Sequence, residues 1–160
     1  MNTKNILIGI GSLIAGVTLT MVLVYNSAAG IMMIEKPSKY GFEETVEKFK
    51  ANVKKAGWKM PTVHNLQKTM KKFGKDVDQV MVFELCHPEH AYKILSKSME
   101  RIVSSMMPCR ISIYKKSDGK TYISMMNTKL MGQMMDGVVP EVMGIASKES
   151  FGIISPLIVN

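Results

Sequence analysis

Hydrophobic and polar residues follow two different patterns along this chain, and the change comes near residue 30. Residues 6 to 25 form an uncharged apolar run, whereas later apolar residues recur at regular spacing among lysines and glutamates. A helix of about 20 apolar residues crosses the ~30 Å hydrocarbon layer of a bilayer. We therefore predict an N-terminal membrane anchor and linker at residues 1–30, a domain at 31–147 and an apolar C-terminal tail at 148–160.

The apolar run also resembles a secretory signal peptide, because small residues at 27–29 would precede a cut at Gly30. Against cleavage, the run is longer than the usual ~7–15 residues of a signal core, and only Lys4 precedes it. We predict an uncleaved single-pass anchor in the cell membrane. Lysines flank the run on both sides, so the positive-inside rule does not decide its orientation. By analogy with signal-like anchors, we expect the domain on the outer, extracytoplasmic or periplasmic side.

Four segments of the domain carry apolar residues at the spacing of three and four that is typical of helices. They lie at residues 42–55, 66–73, 88–95 and 131–143. Pro88 suits the first position of the third helix. Gly137 and Pro140 predict that the fourth is bent or broken.

Four other segments predict strands, at residues 58–63, 80–85, 110–116 and 120–126. Pro61 suits an edge position for the first, and the apolar run 80–83 predicts a central strand that is covered on both faces. Asp118-Gly119 between the last two is a strong hairpin signal. Helices together with an antiparallel pair predict an α+β fold, in which helices pack on a small mixed or antiparallel sheet.

Composition constrains the size and the partners of the protein. The 160 residues, of which 46% are hydrophobic, suffice for one domain beside the anchor. The net charge of +8 comes mostly from lysines that alternate with apolar residues, as on solvated helix faces. Anionic lipid headgroups are the alternative partner of these lysines. We predict no nucleic-acid partner, because the sequence has no arginine cluster and no interleaved basic and aromatic residues.

The chain contains 16 methionines. Thioethers are soft ligands, so copper(I) binding is one interpretation. The stripe of Met131, Met134 and Met135 at helical spacing is better explained by packing, either in the core or at a dimer contact. In the anchor, Gly11 and Ala15 are small residues four apart, which would let two helices approach closely. We therefore expect a homodimer in the lipid bilayer.

The stretch FELCHPEHA, residues 83–91, places a thiol, two imidazoles and a carboxylate within five residues. Cys86 comes just before a predicted helix, where the positive end of the helix dipole favours a thiolate. Cys109 shares a strand face with Ile111 and Ile113, and apolar neighbours raise the pKa of a thiol and leave it unreactive. Neighbouring strands could bring the two thiols to disulfide distance. Two ordinary buried cysteines are the simpler expectation.

Cys86, His87 and His90 are also a candidate ligand set for zinc or haem iron. Three ligands at one turn have awkward geometry, and only His64 or Cys109 is left to complete the set. The sequence contains no CxxC pair, no Ser-His-Asp arrangement and no glycine-rich phosphate loop. We therefore predict a protein that is not an enzyme and has no cofactor, with haem or a soft metal as the alternative.

Two motifs in this region resemble the domain of unknown function 302 family of small bacterial and archaeal proteins. They are the Cys-x-Pro-x-x-Ala stretch from Cys86 to Ala91 and the Pro-Cys-Arg stretch at residues 108–110, which runs into a strand and an Asp-Gly turn. The resemblance covers about residues 42–143, and it implies a compact α+β fold that often dimerises and has an undetermined activity. Relatives commonly have Asn where this chain has His87. Haem association has been suggested for some relatives, but this chain has no CxxCH motif for covalent attachment.

Two functions of different classes follow. The first is a membrane-anchored, non-catalytic binding or interaction domain whose small-molecule ligand is unknown. The second is a thiol-redox or metal- or haem-linked protein, which uses Cys86 with Cys109, or Cys86 with His87 or His90. We favour the first because the sequence contains no complete catalytic set.

Overall fold

A computed structural model describes residues 3–159, apart from the side chains of residues 5, 6 and 29. The chain divides into two compact units, one that ends at Met32 and one that begins at Met33. The helices are α1 Thr3–Met32, α2 Phe42–Lys55, α3 Leu66–Lys72, α4 Pro88–Leu95, α5 Thr128–Gly132 and α6 Val139–Ile154, with a 3₁₀ helix at Glu100–Met106. The strands are β1 Met33–Pro37, β2 Val63–Asn65, β3 Val80–Leu85, β4 Cys109–Lys115 and β5 Thr121–Met126.

The first unit is the helix α1, which contains a segment long and apolar enough to cross a membrane, Leu7–Ala28. At about 1.5 Å per residue, 22 residues span roughly 33 Å, slightly more than the hydrocarbon layer. A membrane anchor and a signal sequence share this length and composition, and neither property fixes the side of the membrane.

In the second unit, five antiparallel strands form one open sheet in the order β1-β5-β4-β3-β2. Gly119 has a positive φ of 77° in the turn between β4 and β5, which confirms the predicted hairpin. The α+β class is also confirmed. The strand expected at 58–63 is wrong in position, since the edge strand is Val63–Asn65 and Lys59 makes only an isolated bridge to Cys86. Pro61 has no backbone N–H to donate, so it cannot continue a ladder between these points.

The main core lies between one face of the sheet and the helices α2 and α6. Alternate strand residues point into it, namely Phe83, Leu85, Ile111, Ile113, Ile123 and Met125. Phe49 of α2 packs its ring against Phe83 at 5.0 Å between centroids. The opposite side chains of β3 are only half-buried, so the expectation of a strand covered on both faces is wrong. The helix α3, which contacts β3, has no buried residue.

The C-terminal stretch belongs to the same core. Helix α6 runs through Ile154, which is fully buried, and Leu157 and Ile158 are buried after it. The backbone N–H of Val159 donates to the carbonyl of Pro37, at 2.9 Å, and thereby ties the chain end to β1. The C-terminal stretch therefore packs on its own domain.

A smaller core joins α4, the 3₁₀ helix, α5 and α6. Its buried residues are Ile94, Val103, Val139, Val142 and Met143. Met131 and Met135 pack against it, as the packing interpretation of the methionine stripe predicts, whereas Met134 is exposed. The predicted break is confirmed, because Gly137 has a positive φ of 67° and α6 starts just after it.

Candidate functional site

The connection between β3 and α4 carries the first candidate residues. Strand β3 ends at Leu85 and α4 begins at Pro88, so Cys86 and His87 lie between them. Two backbone hydrogen bonds of 2.9 Å join Cys86 to Lys59 and hold this connection against the preceding segment. His87 occupies the N-cap position of α4 in an extended conformation. Cys86 therefore lies just before the helix, as predicted.

Both cysteines are free, half-buried thiols, of which Cys109 begins β4 and Cys86 directly follows the neighbouring strand β3. Cys109 begins β4 directly opposite Leu85, so Cys86 is one residue beyond the opposed position. Burial is the main effect that raises the pKa of the Cys109 thiol, and the nearby Cys86 raises it further. The apolar neighbours of Cys109 in the sequence predicted that its pKa would be raised. Cys109 also packs against the main core.

The two thiols and the two imidazoles line one small cavity of about 50 Å³ between the sheet and the helices. Its walls are formed by residues 85–87, His90, Ala91, Ile94, Val103, residues 106–109, Trp58, Thr128, Val142, Met143 and Ala146. A water molecule needs only about 10–15 Å³ measured in this way, so the cavity has room for a few water-sized groups. It is far smaller than the ~300–1,000 Å³ of sites for drug-sized ligands.

A second cavity of about 250 Å³ adjoins the first. Both are lined by residues 106–109 and by Thr128, whose hydroxyl oxygen is buried without a hydrogen-bond partner among the described residues. Met33, Met125 and Met126 contribute to the walls of the second cavity, which are mostly apolar. Its volume is close to the lower end of the range for small-molecule sites.

At the rim of the first cavity, Trp58, His87, His90 and Glu149 form a contact cluster. The two imidazole rings stack with centroids 4.2 Å apart and an angle of 26° between their planes. The indole ring of Trp58 meets both rings edge-on, at 5.6 Å from His87 and 6.0 Å from His90. The cluster thus joins the start of α4 to α6.

Glu149 is held in this cluster by two hydrogen bonds to the same carboxylate oxygen. Nε2 of His90 lies 2.9 Å from Oε2, and the indole Nε1–H of Trp58 donates to Oε2 at 3.1 Å. Partial burial is the largest effect on this carboxyl and raises its pKa, but the hydrogen bond and the charge of His90 outweigh it, so the pKa of Glu149 is lowered. One imidazole nitrogen from each histidine and one Glu149 oxygen lie within 4.8 Å of one another.

The structure distributes the predicted residues between two places. Cys86, His87, His90 and Cys109 all line the first cavity. His64, considered as a further ligand, instead lies 3.2 Å from Oε1 of Glu84, across the β2–β3 pair. Sequence reasoning did not find Trp58 and Glu149. No local signal could have found them, since they lie 91 residues apart and meet only through the fold.

Comparison with known proteins identifies the domain but no ligand. A family model described as "Domain of unknown function DUF302" matches residues 34–149, well over half of the chain. The crystal structure of an uncharacterized conserved DUF302 protein from Bacillus stearothermophilus superposes with a TM-score of 0.70 at 20% identity, covering 78% of this chain and 97% of the other. At this identity the likeness shows the fold alone. No curated protein matches the chain.

Proposed function

We propose that this chain, which belongs to the DUF302 family, is a membrane-anchored, non-catalytic binding domain whose ligand enters the cavity beside Trp58, Cys86 and Cys109. The observation that carries the proposal is the composition of the cavity wall. It is largely apolar, but two thiols and two imidazoles converge on it. Apolar walls with a few converging polar groups are characteristic of ligand sites.

The hydrogen bonds around this cavity favour binding over catalysis. A catalytic cysteine is commonly activated by a base within hydrogen-bond reach. Within residues 3–159, the hydrogen bond of His90 goes to Glu149, and neither thiol has a hydrogen bond to an imidazole. We therefore assign Cys86 and His87 to the wall of a binding site.

A cavity-filling substitution tests the proposed location. Ala91 of α4 lines the cavity, and Ala91→Leu adds three carbon atoms towards it. Ala51, exposed on α2, provides the matched control Ala51→Leu. Full-length protein purified from native membranes in mild detergent would be examined by native mass spectrometry. We expect a bound species on the wild type and on Ala51→Leu that is lost from Ala91→Leu. Equal occupancy in all three, or none in any, would overturn the proposed site.

The anchor is the second part of the proposal, and Leu7–Ala28 supports it by its length and composition. We expect the chain to stay in the membrane pellet after alkaline carbonate extraction, with its N-terminus intact. Soluble protein whose first residue lies near Gly30 would instead identify a cleaved signal peptide. The expected homodimer is tested by light scattering of the detergent-solubilised chain, in which a monomer mass would refute it.

A second candidate function is thiol redox chemistry, which the shared cavity of Cys86 and Cys109 favours. The two thiols would form one disulfide and lose two protons and two electrons, while a disulfide of a partner protein is reduced to two thiols. Thiol titration before and after reduction tests this function. A reversible loss of two thiols per chain would support it, and two thiols that stay free in mild oxidant would exclude it.

A further inference from the structure

We infer that His87, His90 and Glu149 bind a divalent first-row metal ion, with Zn²⁺ as the reference ion, at the rim of the cavity. This inference rests on the proposed function and deepens it, because it places a metal ion next to the ligand that the cavity takes. The supporting distance is the 4.8 Å within which one ligand atom of each residue lies from the others. No other three-residue group of this kind occurs in the described part of the chain.

The donor set suits such an ion. Two imidazole nitrogens and one carboxylate oxygen are typical zinc ligands, and three protein ligands leave a fourth position for water or a small ligand. Both histidines line the cavity, so a small ligand in the cavity would lie close to the ion. Hard cations such as Ca²⁺ or Mg²⁺ prefer sets made only of oxygen, so they suit this cluster less well.

The unpaired atoms of the cluster give independent support. Nδ1 of His87 and Nδ1 of His90 are both buried without a hydrogen-bond partner among the described residues. A buried polar atom without a partner is costly, and such atoms in a native fold call for an explanation such as an ion or a water. Two of them on stacked imidazoles at one point of the structure suggest a shared partner.

Trp58 acts as a positioning residue for the carboxylate. Its indole N–H donates to Oε2 of Glu149 and fixes the orientation of that group towards His90. Metal-binding carboxylates are commonly oriented by such outer hydrogen bonds. Burial of Trp58 keeps the donor in place.

Binding requires one movement, and that movement provides a signal. Ring lone pairs lie in the imidazole plane, and the two planes are stacked at 26°, so they do not converge on one nearby point. At least one imidazole must rotate when it coordinates the ion. Because Trp58 meets both rings edge-on, and the sequence contains one tryptophan, its fluorescence should change on metal binding.

The experiment uses the full-length chain in detergent, stripped with chelator and titrated with Zn²⁺ by calorimetry. We expect one ion per chain and a change in Trp58 emission. His87→Asn, His90→Gln and Glu149→Gln should each weaken binding at least about tenfold, the scale on which even outer-shell changes act. His87→Asn is the most informative of these, since Asn is a favoured N-cap residue and preserves the start of α4.

The chain supplies its own matched control. His64 and Glu84 form another histidine–carboxylate pair, at 3.2 Å, but without a second imidazole. His64→Gln should leave zinc affinity unchanged. Equal weakening by His64→Gln, or wild-type affinity in Glu149→Gln, would overturn the assignment.

Cobalt(II) separates this ligand set from one that contains a thiolate. Co²⁺ in place of Zn²⁺ should give tetrahedral d–d absorption without a sulfur-to-metal charge-transfer band, and Cys86→Ser should not alter the spectrum. A charge-transfer band lost in Cys86→Ser would overturn the ligand set.

The two proposals can fail separately. If Ala91→Leu loses the native ligand but the wild type binds no zinc, this inference alone is overturned. Zinc binding without any Ala91-dependent ligand would overturn only the proposed cavity function.

Discussion

Gly132 is the position at which a single methyl group should disturb the packing behind the cavity. It is the last residue of α5, and a Cβ there would lie 2.8 Å from the Cβ of Met143 in α6 and 3.5 Å from its sulfur. The Met143 Cβ is bonded directly to the backbone, so rotating the side chain cannot relieve the contact. Gly132→Ala must therefore push α5 and α6 apart.

The expected magnitude follows from two opposing contributions. Overpacking a well-packed site costs about 1–3 kcal/mol. Alanine is favoured over glycine in a helix by roughly 0.5–1 kcal/mol, which offsets part of that cost. With central values of about 2 and about 0.75 kcal/mol for the two contributions, we predict a net loss of roughly 1 kcal/mol in the free energy of unfolding. Gly144, within α6, has no atom within 4 Å of an added Cβ, so Gly144→Ala should stabilise the domain by up to about 1 kcal/mol.

Urea denaturation of the full-length chain in detergent, followed by Trp58 fluorescence, measures both values. Trp58 is the only tryptophan and is 5% exposed within the main core, so its emission reports unfolding of the domain. The two substitutions should shift the midpoint in opposite directions at constant slope. A Gly132→Ala protein as stable as the wild type would refute the close approach of α5 and α6.

Three further predictions concern the rest of the domain. The hydrogen bond from Lys116 is the main effect that lowers the pKa of Glu35 in the folded protein. A lowered folded pKa gives stability that is present above the unfolded pKa of about 4.5 and is lost as the pH falls through the folded pKa. In acid titration, Glu35→Gln should therefore flatten the dependence of stability on pH below about 4.5. Thr45→Val removes a fully buried hydroxyl that bonds α2 to the preceding loop, and should cost about 1–2 kcal/mol in urea denaturation, whereas a neutral result would contradict its hydrogen bonds. Ile154→Ala should cost about 2–5 kcal/mol, and the exposed Val159→Ala almost nothing; equal effects would mean that the C-terminal stretch is not part of the core.

Local patterns were sufficient for the elements whose sequence and environment agree. The helix α2 buries the apolar stripe that its spacing predicts, and the Asp-Gly turn joins β4 to β5. The strand β1 was not predicted, because its two ends are apolar but its middle is charged and its residues are mostly exposed. It is a strand because its backbone pairs with β5, which is a long-range contact.

Periodicity also cannot tell whether an apolar face finds a partner. Leu66 and Phe73 have the spacing of a buried helix face, yet α3 buries no residue, and Phe73, just after it, is exposed. A helical pattern predicts the local backbone conformation, whereas burial depends on which elements the topology brings to that side of the sheet. The same limit explains the wrong expectation for β3.

The candidate site shows the same division between local and long-range information. Cys86, His87 and His90 are close in sequence, and the strand-to-helix connection places them together as predicted. Glu149 reaches them only because α6 packs beside α4, 59 residues further along the chain. A single sequence gives no signal for such a contact, so only the structure identifies Glu149 as the third candidate ligand.

The cavity and the proposed ion site depend on different residues. The cavity is formed by the β3–α4 connection and by β4, which carry the motifs of the family resemblance, whereas the proposed ion depends on the imidazole of His87. His87→Asn removes that imidazole while keeping a favoured N-cap residue for α4. If the cavity is a property of the fold and the metal a property of this chain, that variant should lose zinc and retain the ligand that Ala91→Leu excludes. Simultaneous loss of both would mean that the ion and the ligand share one site, in which His87 is indispensable.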